Sequence, residues 1–169
     1  MAATQAQEKP TLCLETTVVS YLAARHSSDV VTLTHQEMTR QWWEKRRKLY
    51  AIFVSEVVHI EANRGDAEAA RRRIQIIKPF PVLRATHDAR ELAKHYMSMI
   101  PLPRCAEADA LHLAIAVINR MDYLVTWNCR HLAAARVRRA AEQINRVREL
   151  PPCTICTPEE LLYEDTDMD

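Results

Sequence analysis

One stretch limits the possible folds of this chain more than any other: DALHLAIAVINRMDYLVTWNCRHLA, from Asp109 to Ala133. Its first part is almost wholly apolar and predicts a buried helix that begins at an acid. Tyr123 to Thr126 then predict a short strand, and Asn128 follows just past it. A helix and a strand joined in this way bring the carboxylate and the amide to the same edge of a sheet. Two oxygen ligands at one edge suit a hard divalent cation.

Length, charge and glycine content exclude several classes of protein. A chain of 169 residues is expected to form one domain whose core needs no disulfide or metal. The net charge is only +1, so any affinity for nucleic acid must come from a local basic patch. Gly65 is the sole glycine, which excludes a P-loop and a Rossmann fingerprint because both need several. No apolar run is long enough to span a membrane and the start lacks a signal-peptide core, so we expect a cytoplasmic protein without a membrane partner.

The five cysteines do not indicate a disulfide framework, and a reducing compartment would keep them as thiols. Cys153 and Cys156 form a C-x-x-C motif, but no second Cys or His pair stands at zinc-ligand spacing. The motif is flanked by proline and does not open a helix, which disfavours a redox site. We interpret the two residues as small buried hydrophobes.

Strand-like and helix-like segments alternate along the chain. Strands are predicted at 12–15, 51–54, 79–83 and 123–126, with a short fifth at 154–156. Helices are predicted at 16–22, 31–48, 67–77, 88–99 and 106–120, with Thr16 or Thr17 capping the first and Asp66 the third; a further helix, capped by Ser55, carries Glu61. The alternation predicts a three-layer α/β/α fold with a mostly parallel sheet of four to five strands. We expect a single domain over 11–163, between a loose tail at 1–10 and an acidic tail at 164–169.

Polar residues stand just after the predicted strands. They are Glu15 after the first strand, Ser55, Glu56 and Glu61 after the second, and Asn128 after the fourth, while Asp109 starts the helix that leads into the fourth. Ligands of parallel sheets bind beyond the carboxyl ends of the strands, so these side chains are expected to meet. Three carboxylates that meet must bind a cation or take up protons. Oxygen ligands favour Mg²⁺ or Mn²⁺ over zinc.

Each of these residues also has a plainer interpretation when it is taken alone. Glu15 and Asp109 could simply be acids at helix N-termini, where the helix dipole favours them. Glu61 could be a solvated helix residue, and Asn128 an ordinary turn residue. Only their expected convergence at one edge favours a shared site.

The order of four motifs resembles that of a PIN domain, in a VapC-like bacterial subgroup: LETTVVSYL, SEVVHIEANRGD, DALHLAIA and TWNCRHLA. The resemblance runs from about Leu12 to the segment CTPEELL. It implies a ribonuclease fold in which clustered acids hold one or two divalent ions. Many members are toxins of toxin–antitoxin pairs and form homodimers. The resemblance implies that the catalytic and metal-binding positions are Glu15, Glu61, Asp109 and Asn128, and that Thr16, Ser55 and Thr126 support them.

Two positions depart from the family pattern. Glu15 stands where the family usually has Asp, and Asn128 stands where Asp is frequent and brings no charge. Both side chains can still reach a cation through an oxygen atom. With three formal negative charges, affinity for a second metal ion is expected to fall, and weak or highly selective nuclease activity stays open.

Other residues near these motifs have two interpretations each. His112 could contact a substrate phosphate or hold Asp109, or be a partly buried histidine of the core. Arg130 and His131 could meet phosphate at the rim of the site, or begin a solvated helix. The basic runs at 71–73 and at Arg136, Arg138 and Arg139 are candidate nucleic-acid rims or solvated faces.

The pair Trp42 and Trp43 precedes a basic stretch that contains Arg46 and Arg47. Aromatic surface and positive charge together suit single-stranded RNA, so these two arginines are candidates for substrate binding. Adjacent side chains on a helix point about 100° apart, so we expect one of the two tryptophans to face the core.

We therefore expect a Mg²⁺- or Mn²⁺-dependent endoribonuclease that hydrolyses RNA phosphodiester bonds, with an antitoxin protein as a candidate partner and a homodimer as the expected assembly. Two alternatives stay open. One is a PIN-like module that binds RNA or protein with little or no turnover, and the other is a purely structural partner in an assembly.

Overall fold

Five short strands form one parallel sheet in a computed structural model of the chain, which describes residues 8–163. They are β1 (Thr11–Leu14), β2 (Ala51–Ser55), β3 (Val82–Leu83), β4 (Tyr123–Val125) and β5 (Thr154–Cys156), in the order β3-β2-β1-β4-β5. Every neighbouring pair is parallel, which confirms the predicted sheet. The predicted acidic tail at 164–169 and residues 1–7 of the predicted N-terminal tail lie outside the described residues.

Eight α-helices of the described chain cover the two faces of the sheet. They are α1 (Thr16–Ala23), α2 (Val30–Lys45), α3 (Glu56–Ala62), α4 (Ala67–Ile77), α5 (His87–Met99), α6 (Glu107–Ile118), α7 (Ala135–Val147) and α8 (Pro158–Tyr163). Helices α5, α6 and α7 build the core on one face, and buried residues of α1, α2, α3, α4 and α8 build it on the other. The three-layer α/β/α architecture is thus confirmed.

The central strand β1 explains why the sheet is sandwiched in this way. Its sequence TLCL is apolar without alternation, as is typical of a strand buried on both faces. Cys13 packs into the core on the α6 face, whereas Leu12 and Leu14 pack into the opposite core. Because β2 and β4 flank β1 in parallel, the chain leaves all three strands at the same edge of the sheet.

Two helices, α7 and α8, were missed by the sequence-based prediction. In α7 the apolar residues Val137, Ala141 and Ile144 recur at helical spacing, but arginines interrupt them. Helix α8 begins with a capping box, in which Glu160 accepts from the Thr157 backbone N–H at 2.7 Å and the Glu160 N–H donates to the Thr157 hydroxyl at 3.2 Å. Helix α2 also ends at Lys45 rather than at 48, and a 3₁₀ turn over Arg47–Leu49 follows it.

The helix caps agree with the sequence in two cases out of three. Ser55 accepts from the Val58 N–H at 3.3 Å, and Asp66 from the Ala69 N–H at 2.9 Å, as predicted. The prediction that Thr16 or Thr17 caps α1 is wrong, because the cap is Glu15. The Glu15 side chain, which is longer than that of threonine, accepts from the Thr17 N–H at 3.1 Å.

One tryptophan of the pair faces the core, as expected. Trp42 is fully buried, while Trp43 is half-buried, packs edge-on against Phe80 and carries the Arg47 guanidinium 5.0 Å above its ring centre.

The cysteines of the described chain form no disulfide. Cys156 is buried as interpreted, whereas Cys153 is only half-buried. Desolvation nevertheless raises the pKa of Cys153 to about 12, which keeps it a thiol. In residues 8–163, no helix has both the length and the apolar character needed to cross a membrane.

A buried hydrogen bond fixes the segment that follows β4 against α2. The Trp127 indole N–H donates to the Thr39 hydroxyl at 2.7 Å, and both side chains are buried. In the Thr39→Val variant the indole N–H loses its acceptor inside the protein, so we expect the free energy of unfolding to fall by about 1–3 kcal/mol in urea denaturation.

Thr34→Val is the matched control for this prediction. Thr34 lies on the same helix, donates to the backbone four residues earlier just as Thr39 does, and is exposed. Its replacement should change stability by no more than about 0.5 kcal/mol. Equal losses in the two variants would show that the indole bond contributes nothing.

Candidate functional site

The acids singled out in the sequence converge at the edge of the sheet where β1, β2 and β4 end. Glu15 follows β1 directly, and Glu61 lies in the last turn of α3, the helix that leaves β2. Asp109 is the third residue of α6, and Asn128 lies three residues beyond β4. The rule that polar groups of a parallel sheet gather at its carboxyl edge therefore holds in this chain.

Glu15 is buried and is held by the elements on either side of it. Its Oε2 accepts from the Thr17 N–H at 3.1 Å, from the Thr17 hydroxyl at 2.5 Å and from the Thr126 hydroxyl at 2.8 Å. Its own backbone N–H donates to the Val125 carbonyl at 3.0 Å, which continues the β1–β4 pairing. Glu15 is thus the N-cap of α1, as its plainer interpretation has it. The cap uses only one of the two carboxylate oxygens.

Glu61 pairs with His112, which lies on the buried face of α6. Oε2 of Glu61 lies 3.1 Å from His112 Nε2 and also accepts from the Thr16 hydroxyl. Burial alone would lower the pKa of His112, but the bond with Glu61 and the charges of the surrounding carboxylates raise it above its ordinary value. Burial opposes ionisation of Glu61, yet the bonds from His112 and Thr16 lower its pKa. The bond between the two groups thus offsets the burial that would otherwise favour their neutral forms.

Glu15, Glu61 and His112 form one group of side chains whose ligand atoms all lie within 4.8 Å of one another. Among residues 8–163, no hydrogen bond reaches Oε1 of Glu15 or Oε1 of Glu61, since every bond to these carboxylates ends on Oε2. Two carboxylates are thus fixed by one oxygen each, with the second oxygen available to a ligand. Such a donor set fits Mg²⁺ or Mn²⁺, for which carboxylate oxygen is the preferred ligand.

Asp109 does not belong to that group, because its carboxylate is bound by the loop after β4. Oδ1 accepts from the Asn128 amide at 2.9 Å, and Oδ2 lies 2.6 Å from Nδ1 of His131. The Asn128 carbonyl oxygen accepts from the His131 backbone N–H at 3.2 Å. In this arrangement Asn128 acts on Asp109, and the three residues form a second polar cluster beside the first.

The side chains predicted to support the site contact it in different ways. Thr16 and Thr126 donate to Glu61 and Glu15, respectively, whereas Ser55 touches neither acid and only caps α3. His112 holds Glu61 and not Asp109, the residue that the sequence suggested. Glu56 turns away from the other acids and accepts from the Ala85 N–H at 3.0 Å.

The two pairs of candidate substrate-binding residues are separated by the fold. His131 contacts Asp109, and Arg130 is exposed beside it in the loop. Arg46 and Arg47 precede β2, so they lie at the opposite edge of the sheet, where Arg46 donates to the Leu162 carbonyl at 3.4 Å. The five residues of β2 span about 16 Å, so the start of the strand lies about that far from the edge where the acids gather. The structure therefore does not bring Arg46 and Arg47 to the acids.

Sequence reasoning missed Thr17 and an aromatic cluster beside the site. The Thr17 hydroxyl donates to Glu15 and accepts from the Trp127 N–H at 2.9 Å. The Trp127 ring stacks on His35, with ring centres 4.1 Å apart. The contact of Thr17 could have been predicted from its position two residues after Glu15, from which its hydroxyl can donate to the Glu15 carboxylate. Nothing local to α2 indicates the contact of His35, because its partner lies 92 positions along the chain.

Comparison by sequence finds no relative: no protein-family model matches the chain, and no curated protein matches it. Comparison by structure finds VapC20 of Mycobacterium tuberculosis, a sarcin-ricin-loop-cleaving toxin, at 16% identity and a TM-score of 0.52, over 68% of this chain and 87% of the toxin. VapBC2 of Rickettsia felis, bound to a DNA fragment from its promoter, is also similar, at 12% identity and a TM-score of 0.49, over 87% of this chain and 98% of that one.

At such low identity, structural similarity establishes the fold and leaves the chemistry to the residues themselves. The likeness to VapC20 agrees with the PIN resemblance that the four sequence motifs carry. The chain has the fold of a VapC-like PIN domain.

Proposed function

We propose that this chain is a divalent-metal-dependent endoribonuclease and that it is the toxin of a toxin–antitoxin pair. The observation that carries the proposal is the pair of buried-edge carboxylates, Glu15 and Glu61, each fixed through one oxygen and open at the other. The fold adds support, because a solved structure with this fold is a toxin that cleaves the sarcin-ricin loop. RNA is accordingly the proposed substrate and Mg²⁺ or Mn²⁺ the proposed cofactor.

In the proposed site, the free Oε1 atoms of Glu15 and Glu61 would hold the cation. Asp109 would complete the shell through a lone pair that its bonds to Asn128 and His131 leave unused. When bound, the cation would supply Lewis-acid polarisation of the scissile phosphodiester and lower the pKa of a water nucleophile. The chain contributes rigidity: Thr17 and Thr126 fix Glu15, and His112 and Thr16 fix Glu61. Fixed ligands keep the site in the productive geometry without reorganisation. No side chain is assigned as a separate general base.

The proposed role of Asn128 is to orient Asp109 through its amide N–H, together with His131 on the other oxygen. Groups that hold a metal ligand from outside commonly change metal affinity or activity by about 10- to 100-fold when they are lost. Arg130, exposed next to His131, is proposed to meet a substrate phosphate. Because Arg46 and Arg47 lie at the far edge of the sheet, the proposal gives them no part in catalysis.

The proposal also includes an antitoxin protein and a homodimer as partners, both carried by the resemblance to VapC-like PIN domains. A toxin that cleaves cellular RNA would act in the cytoplasm. Each of these points depends on the nuclease activity, which is therefore tested first.

Cleavage of RNA tests the proposed activity. Purified full-length protein should cut RNA oligomers with Mg²⁺ or Mn²⁺ and leave them intact in EDTA. The variants Glu61→Gln and Asp109→Asn remove charge from the metal-binding carboxylates, so the cleavage rate should fall by about 100-fold or more in a time course on denaturing gels.

Glu56→Gln and Glu107→Gln are the matched controls, because each removes a carboxylate from the same helix, α3 or α6, without touching the site. Both should cleave within about twofold of the wild-type rate. Wild-type protein that retains RNA without cutting it under any of these metal conditions would contradict the nuclease and support the binding-module alternative.

Calorimetric titration with Mn²⁺ tests the metal site apart from turnover. Wild-type protein should bind Mn²⁺, and Glu61→Gln should weaken binding by at least about tenfold, because one open carboxylate oxygen is lost. Glu56→Gln should titrate like the wild type. A titration in which Glu61→Gln matches the wild type would rule out the assigned ligands.

Because Asn128 is neutral, adding a charge at this position provides a second test of Mn²⁺ binding. In Asn128→Asp, a new carboxylate faces Asp109 Oδ1 across a contact of 2.9 Å. Like charges so close disfavour the metal-free fold, so the urea midpoint in EDTA should fall. The added charge should tighten Mn²⁺ binding by at least about tenfold, which needs about 1.4 kcal/mol, below the roughly 4 kcal/mol between two unit charges 4 Å apart at an effective dielectric constant of about 20.

Gln41→Glu is the control for added charge, because Gln41 is exposed on α2. It should move neither the urea midpoint nor the Mn²⁺ affinity beyond experimental error. Tighter Mn²⁺ binding in both variants would assign the effect to net charge and contradict a role for position 128.

A further inference from the structure

Helix α7 carries a line of exposed arginines on the side away from the core. Arg136, Arg139 and Arg146 lie at positions i, i+3 and i+10 of the helix, within an arc of about 80° at 100° per residue. All three are exposed, and the buried residues Val137 and Ala141 occupy the opposite side. These three arginines are called the α7 ridge below.

The charges of the ridge are mostly not neutralised by the protein. Within residues 8–163, no ion pair or hydrogen bond engages the side chain of Arg136 or Arg139. Arg146 lies 3.8 Å from Glu142, but both side chains are more than three-quarters exposed, and such a pair contributes little. By contrast, the charge of the neighbouring Arg138 is neutralised by Glu160, to which its guanidinium donates two hydrogen bonds at 2.7 and 3.0 Å.

The ridge begins just after the loop of the candidate site. Helix α7 starts at Ala135, directly after the loop in which Asn128 and His131 bind Asp109. Arg138 Nε donates to the Ala133 carbonyl at 3.0 Å and so ties the first turn of the helix to that loop. Because β5 runs parallel to β4, α7 must run back from the site edge to the far edge of the sheet. The ridge extends over about 15 Å in that direction, at 1.5 Å per residue.

Charge complementarity decides what this surface fits. The whole chain has a net charge of +1, so it exerts no general attraction on a polyanion. The ridge nevertheless concentrates three positive charges along one line, and Glu142 is the one acid within helix α7. Arginine is the side chain best suited to bind phosphate groups in two-pronged geometry.

We propose that the α7 ridge binds the phosphate backbone of RNA that extends from the candidate site, independently of base sequence. The inference rests on the proposed ribonuclease function, since it names the surface along which the substrate leaves the acids. It assigns a role to Arg136, Arg139 and Arg146 in affinity and none in bond cleavage.

Binding of RNA in EDTA tests the ridge without any cleavage. Full-length protein is titrated into a fluorescein-labelled single-stranded RNA of mixed sequence, and fluorescence anisotropy is measured between about 50 and 200 mM salt. The triple variant Arg136→Gln, Arg139→Gln, Arg146→Gln should lose at least about tenfold in affinity. The slope of log K against log salt should fall in magnitude by about 2, because each lost phosphate contact on a single strand removes about 0.7.

A matched control loses three positive charges elsewhere: Lys9→Gln, Lys78→Gln, Arg120→Gln, all at exposed positions without an ion pair in the described chain. It should keep the wild-type affinity and slope. A charge-preserving triple variant, with Lys at the three ridge positions, should keep most of the slope. Thermal melting by circular dichroism should agree among all variants, because the replaced side chains are exposed.

Two results would overturn the inference. One is a ridge variant that binds RNA with wild-type affinity and slope, which would leave an acidic protein as the partner for this charge. The other is an equal loss in the control variant, which would reduce the effect to net charge. Cleavage with Mn²⁺, measured separately on wild-type protein, distinguishes the two proposals. If the ridge variant loses binding but the wild type cleaves no RNA, the ridge is supported and the nuclease is contradicted. If the wild type cleaves RNA but the ridge variant binds it unchanged, the nuclease is supported and the ridge is contradicted.

Discussion

The hydrogen bonds around the Glu15 carboxylate join the parts of the molecule on which the candidate site depends. A carboxylate at the buried end of the central strand is costly unless its oxygens are satisfied. Thr17 of α1 and Thr126 of the segment after β4 both donate to Oε2, so one acid links the end of β1, the start of α1 and the segment after β4. The same Thr17 hydroxyl accepts from the Trp127 backbone, which fixes the loop that carries Asn128. Local stability and the geometry of the site thus rest on the same contacts.

The polar edge is divided into two clusters with different partners. Glu15 and Glu61 are held by hydroxyls and an imidazole and keep one oxygen free each, while both oxygens of Asp109 are engaged by Asn128 and His131. This division gives a physical reason for the neutral residue at position 128. A neutral amide at position 128 can donate to Asp109, which a carboxylate could not do without a proton. Position 128 therefore carries no negative charge, but its amide holds the Asp109 carboxylate in a fixed orientation.

Much of this was accessible from the sequence because it depends on local rules. The alternation of strand-like and helix-like segments indicated a parallel sheet, the caps at Ser55 and Asp66 indicated two helix starts, and the acids after the strands indicated the edge at which a site lies. Helices α7 and α8 were missed because arginines obscure the apolar spacing of the first and because the second is only six residues long. The partner of His112 was misassigned because spacing along α6 favours Asp109, whereas the packing of α3 against α6 brings Glu61.

The sequence by itself determined the layered fold, the succession of its five strands along the chain and the edge at which the acids gather, because segment alternation, capping and the direction of parallel strands follow from neighbouring residues. Only the tertiary structure decided which oxygen of each acid is free and which residue holds it. It also decided that Arg46 and Arg47 lie far from the acids while the arginines of α7 begin beside them. Those facts depend on pairs such as Thr16–Glu61 and Thr126–Glu15, whose members lie 45 and 111 positions apart and meet only when the helices pack on the sheet.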